Sequence, residues 1–104
     1  MKIKLMFYSA TLLLAINTAV AAGNADNGKT KAEPCFGCHA IPNYANAYPD
    51  YRVPKLAGQR PEYIVAALKE YQSGQRGHPT MHANATTLSE QDMLDIAAFL
   101  STAH

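Results

Sequence analysis

Two cysteines lie three positions apart in this chain, and a histidine follows the second one directly, in the run Cys35-Phe36-Gly37-Cys38-His39. On a helical turn, residues three apart project to the same side, so the two sulfurs can reach one common partner. This spacing is the attachment pattern of a c-type haem, in which both thiols form thioethers and the histidine ligates the iron. The motif therefore predicts one covalently attached haem c, held by Cys35 and Cys38, with His39 as the proximal iron ligand.

Other uses of the two cysteines are less favoured. A thioredoxin-like redox pair needs a βαβ setting, and the sequence has no pattern for one. A structural zinc site needs four ligands, typically two such cysteine pairs, and the chain has only these two cysteines. A disulfide that closes so short a loop would stabilise the fold little, and it would leave His39 without a role.

The start of the chain is typical of a cleaved secretory signal. Two lysines come first, then an apolar run over Leu5–Ile16, and then the four small residues 19–22. The apolar run is shorter than the roughly 20 residues of a membrane-spanning helix, which disfavours an uncleaved anchor. Cleavage after Ala21 and cleavage after Ala22 both fit the pattern, and we take Ala22. The sequence thus predicts export to the periplasm.

Removal of a signal peptide over residues 1–22 leaves one domain over residues 23–104. This domain has seven Lys and Arg against eight Asp and Glu, so its net charge is near −1. A chain of this size buries only about 60% of its unfolded surface, and it is marginal without a disulfide, metal or cofactor. The sequence contains no tract of like charge that would indicate nucleic-acid binding, so we expect no nucleic acid among the partners.

Three helices are predicted in the domain. The first covers Asn24–Glu33, which is rich in alanine and is followed by a proline. The second covers Pro61–Ser73, with a proline at its first position and Gly74 after its end. The third covers Ser89–Ser101 and begins with a Ser-x-x-Asp capping pair. Met93 belongs to the apolar face of this last helix and is predicted to pack in the core.

The segments between these helices, Ala40–Gln59 and Gln75–Leu88, are predicted to be long loops. Neither contains a run of alternating β-branched residues, so we expect no strands. Loops this long in a small domain are usually functional or wrap around something. The predicted fold class is all-α, with three or more helices around one covalent haem.

A haem iron in an electron carrier needs a second axial ligand. Met81 lies in the second long loop, where no helical pattern assigns it to a core, and its thioether would give His/Met ligation with a raised potential. Two histidines of the same loop are the alternatives. We rank Met81 first, His82 second and His78 third, because a loop histidine is more often solvated.

With these features the chain resembles the class I cytochromes c, in particular the short bacterial monohaem members. The resemblance is carried by the motif at residues 35–39, by Met81 in the distal loop, by Pro54-Lys55-Leu56-Ala57-Gly58-Gln59, and by the C-terminal segments 88–92 and 96–100. It covers residues 24–103 and implies the small cytochrome c fold. It also implies that the backbone carbonyl of Pro54 accepts a hydrogen bond from His39, and that the first and last helices cross at Gly28 and Phe99.

The resemblance implies a periplasmic one-electron carrier of a respiratory chain. Ligation by His39 and Met81 leaves no open iron position, so we expect no enzymatic activity. The expected partners are an electron donor and an electron acceptor protein, with contact to a membrane only through membrane-bound partners. Two alternatives stay open. One is a dedicated cytochrome subunit of a periplasmic dehydrogenase or oxidase, and the other is a haem-based sensor or peroxidase-like protein.

Overall fold

The computed structural model describes residues 22–40, 45–47 and 50–103. These residues form α1 (Ala25–Lys31), α2 (Glu33–His39), β1 (Ala45–Ala47), β2 (Asp50–Arg52), α3 (Pro61–Ser73), α4 (Pro79–Ala85) and α5 (Glu90–Thr102). The predicted signal peptide, residues 1–22, lies outside the described residues except for Ala22. Within the described part, no helix combines the length and the apolar character that crossing a membrane requires.

The two longer helices follow the sequence prediction closely. α3 has the predicted bounds and ends at Gly74, whose left-handed backbone (φ 82°) suits a residue without a side chain. α5 begins one residue later than predicted, because Ser89 is its N-cap. The Ser89 hydroxyl accepts the Asp92 N–H, and the Asp92 carboxylate accepts the Ser89 N–H, which completes a capping box. Local signals therefore determine both helices.

The N-terminal region contains two helices where the sequence predicts one. α1 ends at Lys31, Ala32 forms a turn, and α2 starts at Glu33. The prediction that Pro34 ends a helix is wrong. Pro34 lies in the first turn of α2, where its missing N–H removes no intrahelical hydrogen bond. α2 carries the whole motif, residues 35–39, so the cysteines do lie on helical turns.

The prediction that the chain has no strands is wrong. β1 and β2 pair antiparallel within the first long loop, with Ala45 opposite Arg52 and Ala47 opposite Asp50. Each strand has three residues, which is too short for an alternating pattern to be visible in the sequence. The hairpin is a small addition to a helical domain, and the all-α class is confirmed.

The prediction of a loop around Met81 is also wrong, because α4 lies there. Its first residue is Pro79, which suits a first helical position, and its last residue, Ala85, is fully buried. From α3, the side-chain amide of Gln72 donates hydrogen bonds to the carbonyl oxygens of Ala85 (3.1 Å) and Leu88 (2.7 Å). This short helix is thus held by α3 rather than by its own helical propensity.

One hydrophobic core joins α1, α3, α4 and α5. Its buried residues are Ala32, Ile64, Leu68, Ala85, Met93, Ile96, Ala97 and Leu100. Met93 is 1% exposed, which confirms its predicted place in the core. α1 crosses α5 at Gly28, where the Asp95 backbone and Phe99 leave no room for a Cβ atom. Phe99 also packs against Phe36 of α2, with ring centroids 5.9 Å apart.

Asp95 is a buried carboxylate that no sequence motif marks. It is 1% exposed, and its oxygens accept hydrogen bonds from the Asn24 backbone N–H (2.8 Å), the Lys31 ammonium (2.6 Å) and the Gln91 amide (2.8 Å). The Asn24 N–H first, and then Lys31 and Gln91, lower the pKa of Asp95 to about 2. Its charge therefore fastens the N-terminal helix to the C-terminal one.

Candidate cofactor site

A largely apolar cavity opens beside the motif helix. α3 and α5 supply its apolar lining through Ile64, Leu68, Ile96 and Leu100. Residues from α2, from α4 and from the segment after β2 complete the lining. Apolar walls with a few polar groups at defined places are typical of a cofactor site.

α2 brings the three motif side chains into this cavity. Cys35, Cys38 and His39 all line it, and all three are half-buried. The two cysteines are free thiols. Burial, and secondarily the charge of Cys38, raises the pKa of the Cys35 thiol, so Cys35 is held in its protonated form. This environment differs from that of a redox-active cysteine pair, whose attacking thiol has a lowered pKa.

The imidazole of His39 is oriented by Pro54. Nδ1 of His39 lies 2.7 Å from the carbonyl oxygen of Pro54. Because a carbonyl oxygen only accepts hydrogen bonds, Nδ1 donates, and Nε2 of the neutral ring keeps its lone pair for a metal. The segment that carries Pro54 is itself tied to α5, since the Gly58 N–H donates to the Leu100 carbonyl oxygen at 2.9 Å.

Met81 lines the same cavity from the first turn of α4. Asn84, one helical turn further along, lines it as well. Met93, the other methionine of the domain, is absent from the cavity lining that the structure describes and packs in the core. Among the described residues, the cavity therefore combines the two motif thiols, the imidazole of His39 with Nε2 available, and one thioether.

The two histidines near Met81, which rank second and third as candidate ligands, differ in position and in hydrogen bonding. His82 is exposed, is not among the lining residues described, and donates from Nδ1 to the Tyr71 carbonyl oxygen at 2.8 Å. His78 lines the cavity, but its Nδ1 accepts the Met81 backbone N–H at 3.3 Å. An accepting Nδ1 leaves the hydrogen of the neutral His78 ring on Nε2, so neither nitrogen offers a spare lone pair.

The charged side chains of the cavity lining are cationic. Arg52, Lys55 and Arg76 line it, while the described lining contains no Asp or Glu. Arg76 pairs with Glu70 at 3.1 Å and lies over the ring of Tyr71, 5.2 Å from its centroid. No sequence motif marks these cations, since Arg76 lies more than twenty residues after Arg52 and Lys55.

Arg76 also connects the cavity to the surface at Tyr63. Its guanidinium lies 5.9 Å from the Tyr63 ring centroid, and hydrogen bonds with Tyr63 and then with Tyr71 raise the pKa of Arg76. Tyr63 is 47% exposed, so it does not share the burial of Leu68 on the same helix. Tyr63 therefore forms the outer edge of the cavity lining, and Leu68 its interior.

These residues fit a haem. Its macrocycle is apolar, its two vinyl groups react with thiols, its iron accepts imidazole and thioether ligands, and its propionates are anionic. The cavity presents a matching group for each of these features. Within the ranges that the structure describes, no cluster of three or more His, Cys, Asp or Glu side chains is arranged to hold a metal ion.

Comparison with known proteins points to the same chemistry. A family model described as cytochrome c matches residues 25–104. The cytochrome c4 of Pseudomonas aeruginosa is 38% identical over 84 residues, which is 81% of this chain and 40% of that protein. The cytochrome c-554(548) of Halomonas halodenitrificans is 37% identical over 84 residues and is covered over 98% of its length. The chain thus spans about two fifths of the cytochrome c4 relative and nearly all of the shorter one.

Two solved structures share the fold. The cytochrome c4 of Acidithiobacillus ferrooxidans superposes with a TM-score of 0.64 at 29% identity, over 82% of this chain and 52% of that one. The reduced cytochrome c4 of Pseudomonas stutzeri gives a TM-score of 0.60 at 24% identity, which is a likeness of fold alone. The helices of this chain therefore have the arrangement found in about half of each of these proteins.

Proposed function

The chain belongs to the cytochrome c family, and on this premise we propose that it is a periplasmic one-electron carrier with a single covalent haem c. Cys35 and Cys38 hold the haem through thioethers, and His39 and Met81 are the axial ligands of its iron. The signal peptide directs export and is cleaved after Ala22, and the mature protein comprises residues 23–104. The single attachment motif supports one haem per chain.

The hydrogen bond between His39 and Pro54 carries this proposal. In a histidine that serves as a metal ligand, one ring nitrogen keeps its lone pair for the metal, and the N–H of the other nitrogen donates to a hydrogen-bond acceptor. The 2.7 Å contact between Nδ1 of His39 and the Pro54 carbonyl supplies that partner. It fixes the tautomer, increases the electron density of the imidazole, and keeps Nε2 available for the iron.

The other lining residues act on the redox change itself. A bound haem supplies the one-electron step between ferric and ferrous iron. The Met81 thioether is a soft donor that favours the ferrous state, and the apolar side chains of α3 and α5 exclude water and disfavour the more charged ferric state. Both effects raise the reduction potential. Arg52, Lys55 and Arg76 offset the negative charge of the propionates.

We propose electron transfer rather than catalysis, because His39 and Met81 together fill both axial positions. The partners are an electron donor and an electron acceptor of a respiratory chain, with contact to the membrane only through membrane-bound partners. The cytochrome c4 structure from A. ferrooxidans is described in terms of complex-induced tuning of electron transfer. This description of a relative supports a protein–protein complex as the setting in which the present chain exchanges its electron.

Optical spectroscopy of the purified mature protein tests the proposal. The reduced protein should show the sharp α-band of a low-spin haem c, and the oxidised protein should show the weak far-red sulfur-to-iron band. The haem should remain on the chain in denaturing electrophoresis, and the reduced protein should not bind carbon monoxide at neutral pH. Carbon monoxide binding at neutral pH would instead support the sensor or peroxidase-like alternative. A protein that is stable only together with another subunit would support the dedicated-subunit alternative.

A further inference from the structure

His78 connects the cavity wall to the backbone of Met81. Its own backbone is extended (φ −154°, ψ 102°), so the chain turns into α4 directly after it, with Pro79 in the first turn. Its Nδ1 accepts the backbone N–H of Met81, which lies in the first turn of α4. Helix starts leave such N–H groups without intrahelical partners, and a side-chain acceptor at the N-cap satisfies one of them. The N–H group that donates to His78 therefore belongs to Met81, the residue that carries the thioether.

The ring of His78 is held from the other side by α3. Tyr71 meets it edge to face, with centroids 6.2 Å apart and an interplanar angle of 78°. Tyr71 in turn lies under the Arg76 guanidinium. The position of the His78 ring is therefore fixed by a long helix, and its hydrogen bond transmits this position to the start of a helix of only seven residues. A helix this short is not stable through its own backbone hydrogen bonds.

We propose that His78 is a positioning residue, which holds the Met81 backbone in place and so limits how often the Met81 thioether leaves the iron. The proposal rests on the proposed function only in taking Met81 as the distal ligand. The role requires an acceptor at the N-cap and not an imidazole as such, so asparagine, a favourable N-cap residue, should replace His78.

The size of the effect follows from the usual contribution of an N-cap. Replacing an N-cap acceptor by alanine destabilises a helix by about 1 kcal/mol, which corresponds to about a fivefold change in a local equilibrium constant. The population in which α4 is displaced and Met81 is detached should rise by about that factor. An exogenous ligand that competes with Met81 for ferric iron should bind correspondingly more tightly.

Imidazole titration of the oxidised holoprotein measures this population. We expect His78→Ala to raise the apparent imidazole affinity about fivefold and to weaken the far-red band. We expect His78→Asn to return both to within about twofold of the wild type. Ser89→Ala is the matched control, because it removes the N-cap of α5 and destabilises the fold by a similar amount away from Met81. Its imidazole affinity should stay within about twofold of the wild type.

The outcomes separate this proposal from the ligand assignment. An unchanged imidazole affinity in His78→Ala, an equal rise in Ser89→Ala, or a failure of His78→Asn to restore the affinity would overturn the positioning role. A wild-type protein without the far-red band would overturn Met81 as ligand, and the positioning role with it. If His78→Ala yields no holoprotein, hydrogen exchange of the Met81 amide in the reduced wild type decides. The cap predicts clear protection of this amide, and exchange at the rate of an unstructured peptide would contradict it.

Discussion

Gly28 of α1 lies against Asp95 of α5 so closely that a Cβ atom at position 28 would overlap the Asp95 carbonyl oxygen and come within 3.0 Å of the Phe99 Cβ. The obstructing oxygen belongs to the backbone of a helix, so it cannot move away by a side-chain rotation. The distance between the two helix axes is therefore set by the missing side chain of Gly28. This contact fixes where α5 presents its cavity-lining residues, among them Ile96 and Leu100.

Gly28→Ala should strongly destabilise the holoprotein. We expect the free energy of unfolding to fall by about 3 kcal/mol, the upper end of the usual cost of overpacking, because the added Cβ meets backbone and forces the helices apart. Denaturant unfolding followed by the haem absorbance measures the change. Gly37→Ala is the control, since a Cβ at that position of α2 has no heavy atom within 4 Å. That variant should gain about 0.5–1 kcal/mol of stability from its higher helix propensity. Equal stability of the two variants would refute the account of the α1–α5 contact.

Asp95→Asn should change the acid stability of the protein. The folded-state pKa of Asp95, about 2, lies below the ordinary aspartate value of 3.8. Unfolding at low pH is therefore coupled to proton uptake. The stability from Asp95 is fully present above about pH 4 and is lost as the pH falls toward 2. The wild type should lose stability over this interval, and Asp95→Asn should lose less, starting from a lower stability at pH 7.

Far-UV circular dichroism during urea unfolding at several pH values measures these slopes. Asp26→Asn is the matched control, because it removes an exposed carboxylate from α1, the helix that Asp95 fastens. The control should keep the pH slope of the wild type. A slope in Asp95→Asn as steep as that of the wild type would show that this carboxylate does not carry the linkage.

Replacing both cysteines by alanine should abolish covalent haem. The single variants Cys35→Ala and Cys38→Ala should each give a much lower yield of holoprotein, because one thioether holds the cofactor less securely during maturation. Haem staining after denaturing electrophoresis of periplasmic extracts measures the yield. Gly37→Ala, which keeps both thiols, should stain as strongly as the wild type. Undiminished staining of the double variant would refute the attachment site.

Two variants of Met81 should distinguish a change of the iron ligand from the loss of that ligand. Met81→His should lower the reduction potential on the order of 0.1 V or more and keep the iron six-coordinate, because imidazole stabilises ferric iron better than a thioether does. Met81→Ala should open the site to water or carbon monoxide. Both variants should lack the far-red band. Spectroelectrochemistry and carbon monoxide titration make these measurements.

Met93→Leu is the control for the Met81 variants. It removes the other methionine of the domain by a volume-conserving change in the core, which should cost less than about 1.5 kcal/mol. Its far-red band and its potential should match those of the wild type. A band that survives in Met81→Ala but is lost in Met93→Leu would reverse the assignment of the ligand.

The parts of the fold that sequence analysis predicted well are those with local signals. Pro61 begins α3 and Gly74 follows its end, while Ser89 and Asp92 cap the start of α5. Each of these helix ends is therefore determined by a few neighbouring residues. The sequence does not predict α4, because much of its stabilisation comes from another helix, through the Gln72 amide. Two local signs were nevertheless present, namely the His78-Pro79 pair at its start and the four-residue spacing of Met81 and Ala85.

The residues of the site divide in the same way, into those that one sequence motif contains and those that only the folded structure brings together. Cys35, Cys38 and His39 were found together because one short motif contains them. The cations of the cavity lining and the buried carboxylate of Asp95 come from segments with no shared pattern, and only the packing of helices brings them to their places. The three donors that surround Asp95 come from α5, from α1 and from the residue before α1.

The hydrogen bond from the Asn24 backbone to Asp95 joins residues 71 positions apart in the chain. A contact of such long range forms late, because the entropy of closing so large a loop opposes it until most of the intervening structure is in place. The attachment cysteines lie in α2, between these two contact residues in the chain, and α5 supplies part of the cavity wall. The stabilisation from the buried carboxylate is therefore gained only once most of the domain has folded.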